Sequence, residues 1–353
     1  MAEQAKSNKR ILLTVLGVVV LLGLAYLQFR EWRKFDWGTF LAQIRAVRVP
    51  RVIAGIALIY LSYVLRSIRW SIMLRPSKRV PWSDLLSAQF IGFTGLAILG
   101  RPGEFIRPYL IARQERLSVS SQMGVWLVER IFDMSCYILL VALDLVIASR
   151  DLRQLPHFAQ FQDAGIVLFG GILAIAIIAF FIWRNGEEIA AWIERMAAPL
   201  SKTLAATFAD KVRTFGEGLH TIHDVRSFFE LLFLSVALWL SIAYAYLQIT
   251  RAFHGPLQHM EIAHVILLLG FSIAGSAIQL PVVGGGAQLA TITALIYVFE
   301  VPNELAVSCG ILLWLVTFVA VTPIGLSLAR NAHLSLTRLS EEATPPPAPT
   351  HAS

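Results

Sequence analysis

The sequence has few cysteines and little charge, and each shortage excludes a class of protein. Cys136 and Cys309 are its only cysteines, and both lie in apolar stretches, so neither a disulfide framework nor a thiolate metal site is expected. Charged residues make up 15% of the 353-residue chain, against about 25% in ordinary soluble domains. Hydrophobic residues make up 56%. This composition excludes a water-soluble globule and indicates that lipid is the solvent of the protein.

Motifs for catalysis and for nucleotide binding are lacking as well. The glycine-rich segment 279–288 is not followed by the Gly-Lys-Ser/Thr of a P-loop. His220, His223 and Asp224 are typical of a solvated surface rather than of a metal site. The sequence therefore predicts no metal, no cofactor and no enzyme activity. The net charge of +7 comes from basic loops beside hydrophobic helices, so orientation in the membrane explains it better than nucleic-acid binding.

Long uncharged runs dominate what the sequence does contain. A bilayer core of roughly 30 Å needs about 20 helical residues. Single runs near this length cover residues 11–29, 164–183, 231–250 and 305–329. The first is expected to be a retained anchor, because its end lacks the small-residue pattern of a signal-peptide cleavage site. Charged spans are predicted over 52–74 and 117–147, which makes an all-α polytopic integral membrane protein with about six full transmembrane helices.

Two further hydrophobic segments are interrupted by helix breakers. Residues 85–100 run into Arg-Pro-Gly-Glu, and the apolar chain then continues only to residue 112. Residues 262–299 are too long for one helix and contain Pro281 and three consecutive glycines. Both are predicted to form re-entrant or broken helical hairpins. They open with similar tetrapeptides, Ile-Gly-Phe-Thr at 91–94 and Leu-Gly-Phe-Ser at 269–272.

The matching breakers predict an inverted repeat within one membrane domain. Its predicted parts are a cytoplasmic N-terminus (1–10), a membrane domain (11–330) with halves 11–163 and 164–330, a cytoplasmic amphipathic insert (184–226) and a disordered cytoplasmic tail (331–353). Lys and Arg are more frequent on the side that this assignment places in the cytoplasm, so both termini are expected there. A basic amphipathic segment near residues 37–47 is predicted to lie on the headgroups of the other side.

Charged residues at membrane depth form the first candidate site. Arg66 and Arg69 share one helix face, and Glu129 and Asp133 share another. The candidate residues here are Arg66, Arg69, Arg101, Gly103, Glu104, Arg107, Glu129, Arg130 and Asp133. Their arginines exceed their acids by two, which suits a lipid phosphate or diphosphate. The alternatives are interfacial anchoring by the arginines and an internal staple between hairpin and helix. Glu104 is expected to pair with Arg107 or with Arg130.

The second candidate site is the glycine-rich breaker of the second hairpin. Its residues are Gln279, Pro281, Gly284, Gly285, Gly286 and Gln288. Consecutive glycines expose backbone N–H and C=O groups, and a helix starting near Ala287 directs its positive end towards them. The alternative is a tight turn that permits close helix packing. We expect the two breakers to meet near the membrane midplane.

Four motifs together resemble the transmembrane-region family of lysylphosphatidylglycerol synthases, also described as flippase-like proteins. They are LRSIRW at 65–70, GRPGEFIRPYL at 100–110, VERIFD at 128–133 and PVVGGG at 281–286. The resemblance implies a multi-pass protein of the bacterial cytoplasmic membrane whose membrane domain moves lipids between leaflets. It further suggests a stand-alone member, because the aminoacyl-transferase domain of the synthases is not expected after the last span. Lysyl transfer is therefore not expected.

The leading hypothesis is a flippase or transporter for an anionic phospholipid or a lipid-phosphate-linked glycolipid, with the headgroup held in the arginine-rich pocket. Membrane lipids are the expected partners, and a lipid-biosynthetic enzyme is a further candidate. One alternative is a membrane-embedded transferase that acts on a lipid phosphate, with Glu104, Glu129 or Asp133 as general base. Another is an accessory subunit of a lipid synthase. The transferase is less favoured because a nucleotide or metal motif is lacking.

Overall fold

The computed structural model describes residues 36–147, 153, 158–197, 225–276 and 285–331. Within these ranges all regular secondary structure is helical. The first predicted span (11–29), much of the predicted insert (198–224) and nearly all of the predicted tail lie outside the described residues.

The first half consists of two long helices with a helical hairpin between them. Its elements are a short helix α1 (Trp37–Arg45), the long helix α2 (Val49–Leu74), the hairpin limbs α3 (Trp82–Leu99) and α4 (Ile106–Glu115) joined by a 3-10 turn (Arg101–Phe105), and the long helix α5 (Val119–Val146). A further helix, α6 (Phe158–Ala197), is kinked at Asn185.

The second half repeats this order of elements. They are the long helix α7 (Val225–Thr250), the hairpin limbs α8 (Ile262–Ser276) and α9 (Gly285–Tyr297), and a final helical stretch made of α10 (Asn303–Trp314), a π turn (Leu315–Val319) and α11 (Thr322–Asn331). Helices α2, α3, α7 and the stretch Asn303–Asn331 are long and apolar enough to cross a membrane. The prediction of an all-helical polytopic membrane protein is confirmed, and the number of full spans stays a prediction.

Helix α1 coincides with the predicted interfacial segment. The Asp36 carboxylate caps it by accepting hydrogen bonds from the backbone N–H groups of Gly38 and Thr39. The hydroxyl of Thr39 also donates to this carboxylate, and these hydrogen bonds lower the pKa of Asp36. Trp37 and Leu41 are about half exposed, so the helix presents an apolar face that the described residues do not cover.

The two long opening helices, α2 and α7, run antiparallel along their whole length. At one end Arg51 donates to Gln248 (3.1 Å), and at the other Arg75 pairs with Glu230 (2.6 Å). The helices approach closely near Gly55, where a Cβ would lie 2.9 Å from Ile249. We refer to the two ends of the bundle as the Arg75 end and the Val49 end.

The first hairpin begins and ends at the Arg75 end. Lys78, just before α3, pairs with Glu115 at the end of α4 over 2.8 Å. Helix α3 stops because Gly100 adopts a φ of 69°, a conformation that favours glycine, and Pro102 follows. The limbs then pack directly on each other, since a Cβ on Gly92 would lie 2.6 Å from that of Arg107.

The second hairpin begins and ends at the Val49 end. Arg251, after α7, donates to the Met260 carbonyl just before α8 (2.8 Å). The ring of His264 in α8 lies 6.0 Å from that of Phe299, which follows α9. The two hairpins therefore start from opposite ends of the bundle, and the inverted repeat with re-entrant hairpins stays a prediction.

Each hairpin also packs on the helix that follows the hairpin of the other half. Gly325 in α11 fits against Thr94 and the Phe90 carbonyl of α3, with no space for a Cβ. Tyr137 in α5 donates to the Ile266 carbonyl of α8 (2.7 Å). These contacts join the two halves. Inside the bundle, α2, α4, α5 and α7 surround one buried polar region.

Candidate functional site

A buried carboxylate, Glu129, lies at the centre of this polar region. Its Oε1 accepts from Arg69 Nη2 (2.7 Å) and from Arg107 Nη1 (3.1 Å), and its Oε2 pairs with Arg107 Nη2. Arg66 Nη1 is 3.7 Å from Oε1. One carboxylate thus links arginines of α2 to an arginine of the first hairpin.

Asp133, one helical turn further along α5, forms the second centre. Its Oδ1 accepts from Arg69 Nη1 (2.6 Å), and its Oδ2 lies 3.2 Å from Arg66 Nη1 and 2.9 Å from Arg130 Nη2. Arg69 therefore bridges both carboxylates. We call Arg66, Arg69, Arg107, Glu129, Arg130 and Asp133 the arginine network.

The arginine network lies inside the helical bundle, nearer to its Arg75 end. Arg69 precedes Arg75 by under about two turns of α2, roughly 9 Å along the axis. The side chains of Arg69, Glu129 and Asp133 are at most 1% exposed. Arginines that anchor a helix at the membrane interface need not be buried, so this burial disfavours interfacial anchoring of Arg66 and Arg69. It agrees with the alternative in which the network links the first hairpin to the helix.

Neutral side chains complete the shell around the arginines. Arg107 donates to Gln89 (3.1 Å), Arg69 donates to Ser235 on α7 (2.9 Å), and Trp70 donates to Gln122 (3.1 Å). The guanidinium group of Arg107 also lies over the Trp70 ring, 4.5 Å from its centroid, and that of Arg66 lies 5.1 Å from the Phe93 centroid. Sequence reasoning missed these residues, although Gln89 and Gln122 stand out as amides on largely apolar helices.

The charges of the arginine network do not cancel. Four guanidinium groups face two carboxylates, so two positive charges remain in excess. Glu104 of the hairpin turn lies beside Arg107 and Arg130, and its negative charge reduces the excess among the described side chains to one. Uncompensated charge at membrane depth is costly, so the net positive charge of these residues requires an explanation.

Unsatisfied hydrogen-bond donors surround the same network. The buried atoms Arg69 Nε, Gln89 Nε2, Gln122 Nε2 and Arg130 Nε have no partner among the described residues. The amide orientations follow from chemistry, because the Gln89 and Gln122 oxygens accept from groups that can only donate. All four atoms are donors, so each of them would be satisfied by a hydrogen-bond acceptor, and Arg130 is the one of the four residues that lines the cleft described next.

A cleft connects the arginine network to the outer face of α5. It is lined by Gly92, Phe93, Leu96, Glu104, Arg107, Trp126 and Arg130. The Arg130 side chain is 31% exposed, and its neighbours on the outer face of α5, Leu127, Ile131 and Met134, are exposed apolar side chains. In this conformation the cleft has room for little more than water, so a larger group enters only if the first hairpin and α5 move apart.

The hairpin turn supplies the other predicted residues of the first site. Gly103 packs against the backbone of Gly95, where a Cβ would overlap the Gly95 carbonyl. Glu104 lines the cleft and is half-buried. Within the described part of the chain it forms an ion pair with neither Arg107 nor Arg130, so both predicted pairings are wrong for this conformation. The structure does not describe the side chain of Arg101.

The second predicted site is described only in part. Gln279, Pro281 and Gly284 lie outside the described residues. Gly285 starts α9 with a φ of 57°, Gly286 packs against Gly275, and Gln288 is half-buried. Helix α9 packs on α8 and α10, and among the described residues no hydrogen bond or ion pair joins it to the arginine network. The close-packing alternative accounts for Gly286, and a meeting of the two breakers stays a prediction.

The fold and the site define a helical, polytopic membrane protein with a buried arginine–carboxylate network. The family described as the lysylphosphatidylglycerol synthase TM region matches residues 12–325, which include both halves and the whole network. The chain belongs to this family, as its motifs predict. Membership associates it with lipid metabolism or transport. A comparison with curated proteins finds no match.

Proposed function

We propose that the protein translocates a lipid with an anionic, phosphate-bearing headgroup between the leaflets of the bacterial cytoplasmic membrane. The observation that carries this proposal is the set of unsatisfied buried donors beside a net positive charge. Phosphate oxygens carry negative charge and accept strong hydrogen bonds from guanidinium groups. A phosphate would therefore compensate the positive charge of the arginine network and would accept a hydrogen bond from Nε of Arg130, which lines the cleft.

The position of the cleft supports a lipid rather than a soluble anion. Arg130 lies among the exposed apolar side chains Leu127, Ile131 and Met134 on the outer face of α5. A headgroup that reaches Arg130 from this side leaves its acyl chains beside the apolar face. The proposed path keeps the tails in the bilayer while the headgroup enters the protein.

The arrangement of the hairpins supports translocation rather than binding alone. Each hairpin returns to the end of the bundle from which it starts, and the two start from opposite ends. Re-entrant hairpins in inverted repeats are typical of secondary transporters. In the proposed orientation, the Arg75 end and both termini are cytoplasmic, and the first hairpin opens to the cytoplasm.

The contacts of Glu129 and Asp133 do not favour the transferase alternative. Arginines occupy both carboxylates, and a general base must be free to take a proton. Glu104 is the remaining candidate base, since it has no ion pair among the described residues. Translocation in liposomes that contain no co-substrate separates transport from group transfer and from an accessory role.

The direct test is translocation of fluorescent lipids by purified protein in liposomes, read by quenching of the outer leaflet. Arg66→Gln is the informative variant, because Arg66 holds the carboxylates at 3.2 and 3.7 Å while Arg69 keeps the shorter contacts. We expect it to slow transport of anionic lipid about tenfold or more, the usual cost of losing a charged hydrogen bond.

Arg113→Gln is the matched control, since Arg113 is an exposed residue of α4 outside the network. It removes the same charge and is expected to transport normally. Wild-type rates no higher than those of protein-free liposomes would overturn the proposal.

A further inference from the structure

We infer that Glu104 is a specificity-determining residue, which selects headgroups that carry hydroxyl groups beyond the phosphate. This inference rests on the proposed function and names the substrate class of the same cleft. The class is a phosphate-bearing lipid whose headgroup ends in a polyol or a sugar.

Glu104 is held in the cleft by both of its chain neighbours. Gly103 packs against the backbone of Gly95 with no space for a Cβ. The ring of Phe105 lies 5.4 Å from the ring of Trp126, which also lines the cleft. The turn between the hairpin limbs is therefore fixed on either side of Glu104.

The carboxylate of Glu104 differs from the two carboxylates of the arginine network, because it lacks a partner. Glu129 and Asp133 each pair with an arginine, over 2.7 and 2.6 Å. Glu104 has neither a hydrogen bond nor an ion pair among the described residues, although Arg107 and Arg130 line the same cleft. A carboxylate at membrane depth is costly without a partner, so we expect the headgroup to supply the missing donor.

The charges in the cleft separate two parts of a bound headgroup. The guanidinium groups of Arg107 and Arg130 attract the phosphate. An ionised carboxylate repels phosphate and only accepts hydrogen bonds. The three side chains line one narrow cleft, so a headgroup whose phosphate contacts the arginines has its next atoms within reach of Glu104. Groups that donate hydrogen bonds are favoured at that position.

Hydroxyl groups suit this position better than an ammonium group. The described side chains around the cleft already carry a net positive charge, and an ammonium group would add to it at membrane depth. A hydroxyl group donates to the carboxylate and brings no charge. The favoured headgroups are therefore neutral polyols joined to the phosphate, either open chains such as glycerol or rings such as sugars.

The first experiment compares matched lipids in liposomes that contain the wild-type protein. Labelled phosphatidylglycerol and labelled phosphatidylpropanol have the same charge and the same headgroup length, but phosphatidylpropanol has no headgroup hydroxyls. We expect phosphatidylglycerol to cross about tenfold faster or more, because a hydrogen bond to a charged group is worth at least that factor. Labelled phosphatidylinositol supplies a ring polyol, so the faster of the two polyol lipids distinguishes a ring from an open chain.

Three results of this comparison would contradict different claims. Equal transport of phosphatidylpropanol and phosphatidylglycerol overturns the selection of hydroxyl groups and leaves lipid translocation standing. Faster transport of labelled phosphatidylethanolamine than of phosphatidylglycerol overturns the choice of hydroxyl over ammonium. Transport of none of these lipids above the protein-free rate overturns the proposed function itself.

The second experiment removes the carboxylate. Glu104→Met keeps the length of the side chain but lacks a strong acceptor. We expect the ratio of phosphatidylglycerol to phosphatidylpropanol transport to fall to about one, since the selective hydrogen bond is lost. Glu104→Gln keeps one accepting oxygen without the charge and should give an intermediate ratio. Each ratio is measured in one preparation, so a reduced folded fraction cancels.

Asp84→Asn is the matched control, since Asp84 is an exposed acid of the same hairpin that does not line the cleft. It removes the same charge and should keep the wild-type ratio. A wild-type ratio in Glu104→Met overturns the role of Glu104 in specificity.

Discussion

At the scale of single residues, Arg69 differs from its neighbour Arg66. Arg69 contacts Glu129, Asp133 and Ser235 over 2.6 to 2.9 Å and thereby joins α2 to α5 and α7. Arg66 pairs with the same two carboxylates over 3.2 and 3.7 Å, and it has no other hydrogen bond or ion pair among the described residues. Arg69 therefore contributes to folding, whereas Arg66 is better placed to exchange a carboxylate for a ligand.

Arg69→Ala is expected to destabilise the protein by about 3–5 kcal/mol, because it leaves two buried carboxylates short of their main counterion. Arg69→Lys should be intermediate, since the charge remains but the forked guanidinium group is lost. Thermal unfolding in detergent measures both changes, with Arg66→Ala as the comparison. An Arg69→Ala protein as stable as the wild type would show that the contacts of Arg69 do not stabilise the fold.

Residue types in the first site could be predicted from the sequence, but their partners could not. Charged residues stand out in the sequence of an apolar helix, and all members of the arginine network were predicted as candidate site residues. The partner of each depends on which helices adjoin, and the sequence alone does not show that. Ser235 shows the same limit, because a serine on an apolar helix becomes a site residue only when α7 lies beside Arg69.

At the scale of elements, glycines set the distance between the limbs of the first hairpin. Gly92 faces Arg107, Gly95 faces Ile106, and Gly103 faces the Gly95 backbone. These contacts fix where Arg107 stands relative to Glu129. The approach of α3 and α4 is therefore a condition for the arginine network.

Gly103→Ala is expected to disturb this hairpin, because the new methyl group would overlap the Gly95 carbonyl, and backbone cannot move aside as a side chain can. Overpacking of this kind costs about 1–3 kcal/mol or more, and lipid transport should fall with it. The control is Gly124→Ala in α5, where a Cβ meets nothing within 4 Å. The thermal unfolding midpoint of Gly103→Ala should be lower than that of Gly124→Ala. Equal midpoints would contradict the close packing of the hairpin limbs at Gly103.

The ends of the helices could be predicted from hydrophobic runs and helix-breaking residues. Irregular turns inside a helix could not. The predicted span 52–74 corresponds to Val49–Leu74, and the predicted break after residue 100 is present. The π turn at Leu315–Val319 was not predicted. It lies where Tyr60 of α2 donates to the Ala320 carbonyl over 2.6 Å, a tertiary contact that leaves no local pattern in the sequence.

At the scale of the whole molecule, two halves of similar design face opposite ends. The antiparallel pairing of α2 with α7 and the crossed packing of the hairpins agree with the repeat predicted from charge and breakers. The arginine network occurs only in the first half as described. The halves therefore share an architecture but differ in charge.

This arrangement predicts that both chain termini lie in the cytoplasm. Two hairpins that return to their starting side leave an even number of crossings, and the basic loops favour the Arg75 end for the cytoplasm. Reporter fusions before residue 11 and after residue 329 measure the location. An external C-terminus would require one hairpin to cross and would contradict the repeat.

The anchoring of the arginines on α2, α4 and α5 has an electrical consequence. In the proposed transport, their positive charge stays with the protein when a headgroup leaves for the opposite leaflet, so the charge that crosses is that of the lipid alone. Each elementary charge is worth about 2.3 kcal/mol per 100 mV of transmembrane voltage. In a cell with a negative interior, the voltage itself would drive an anionic lipid outward.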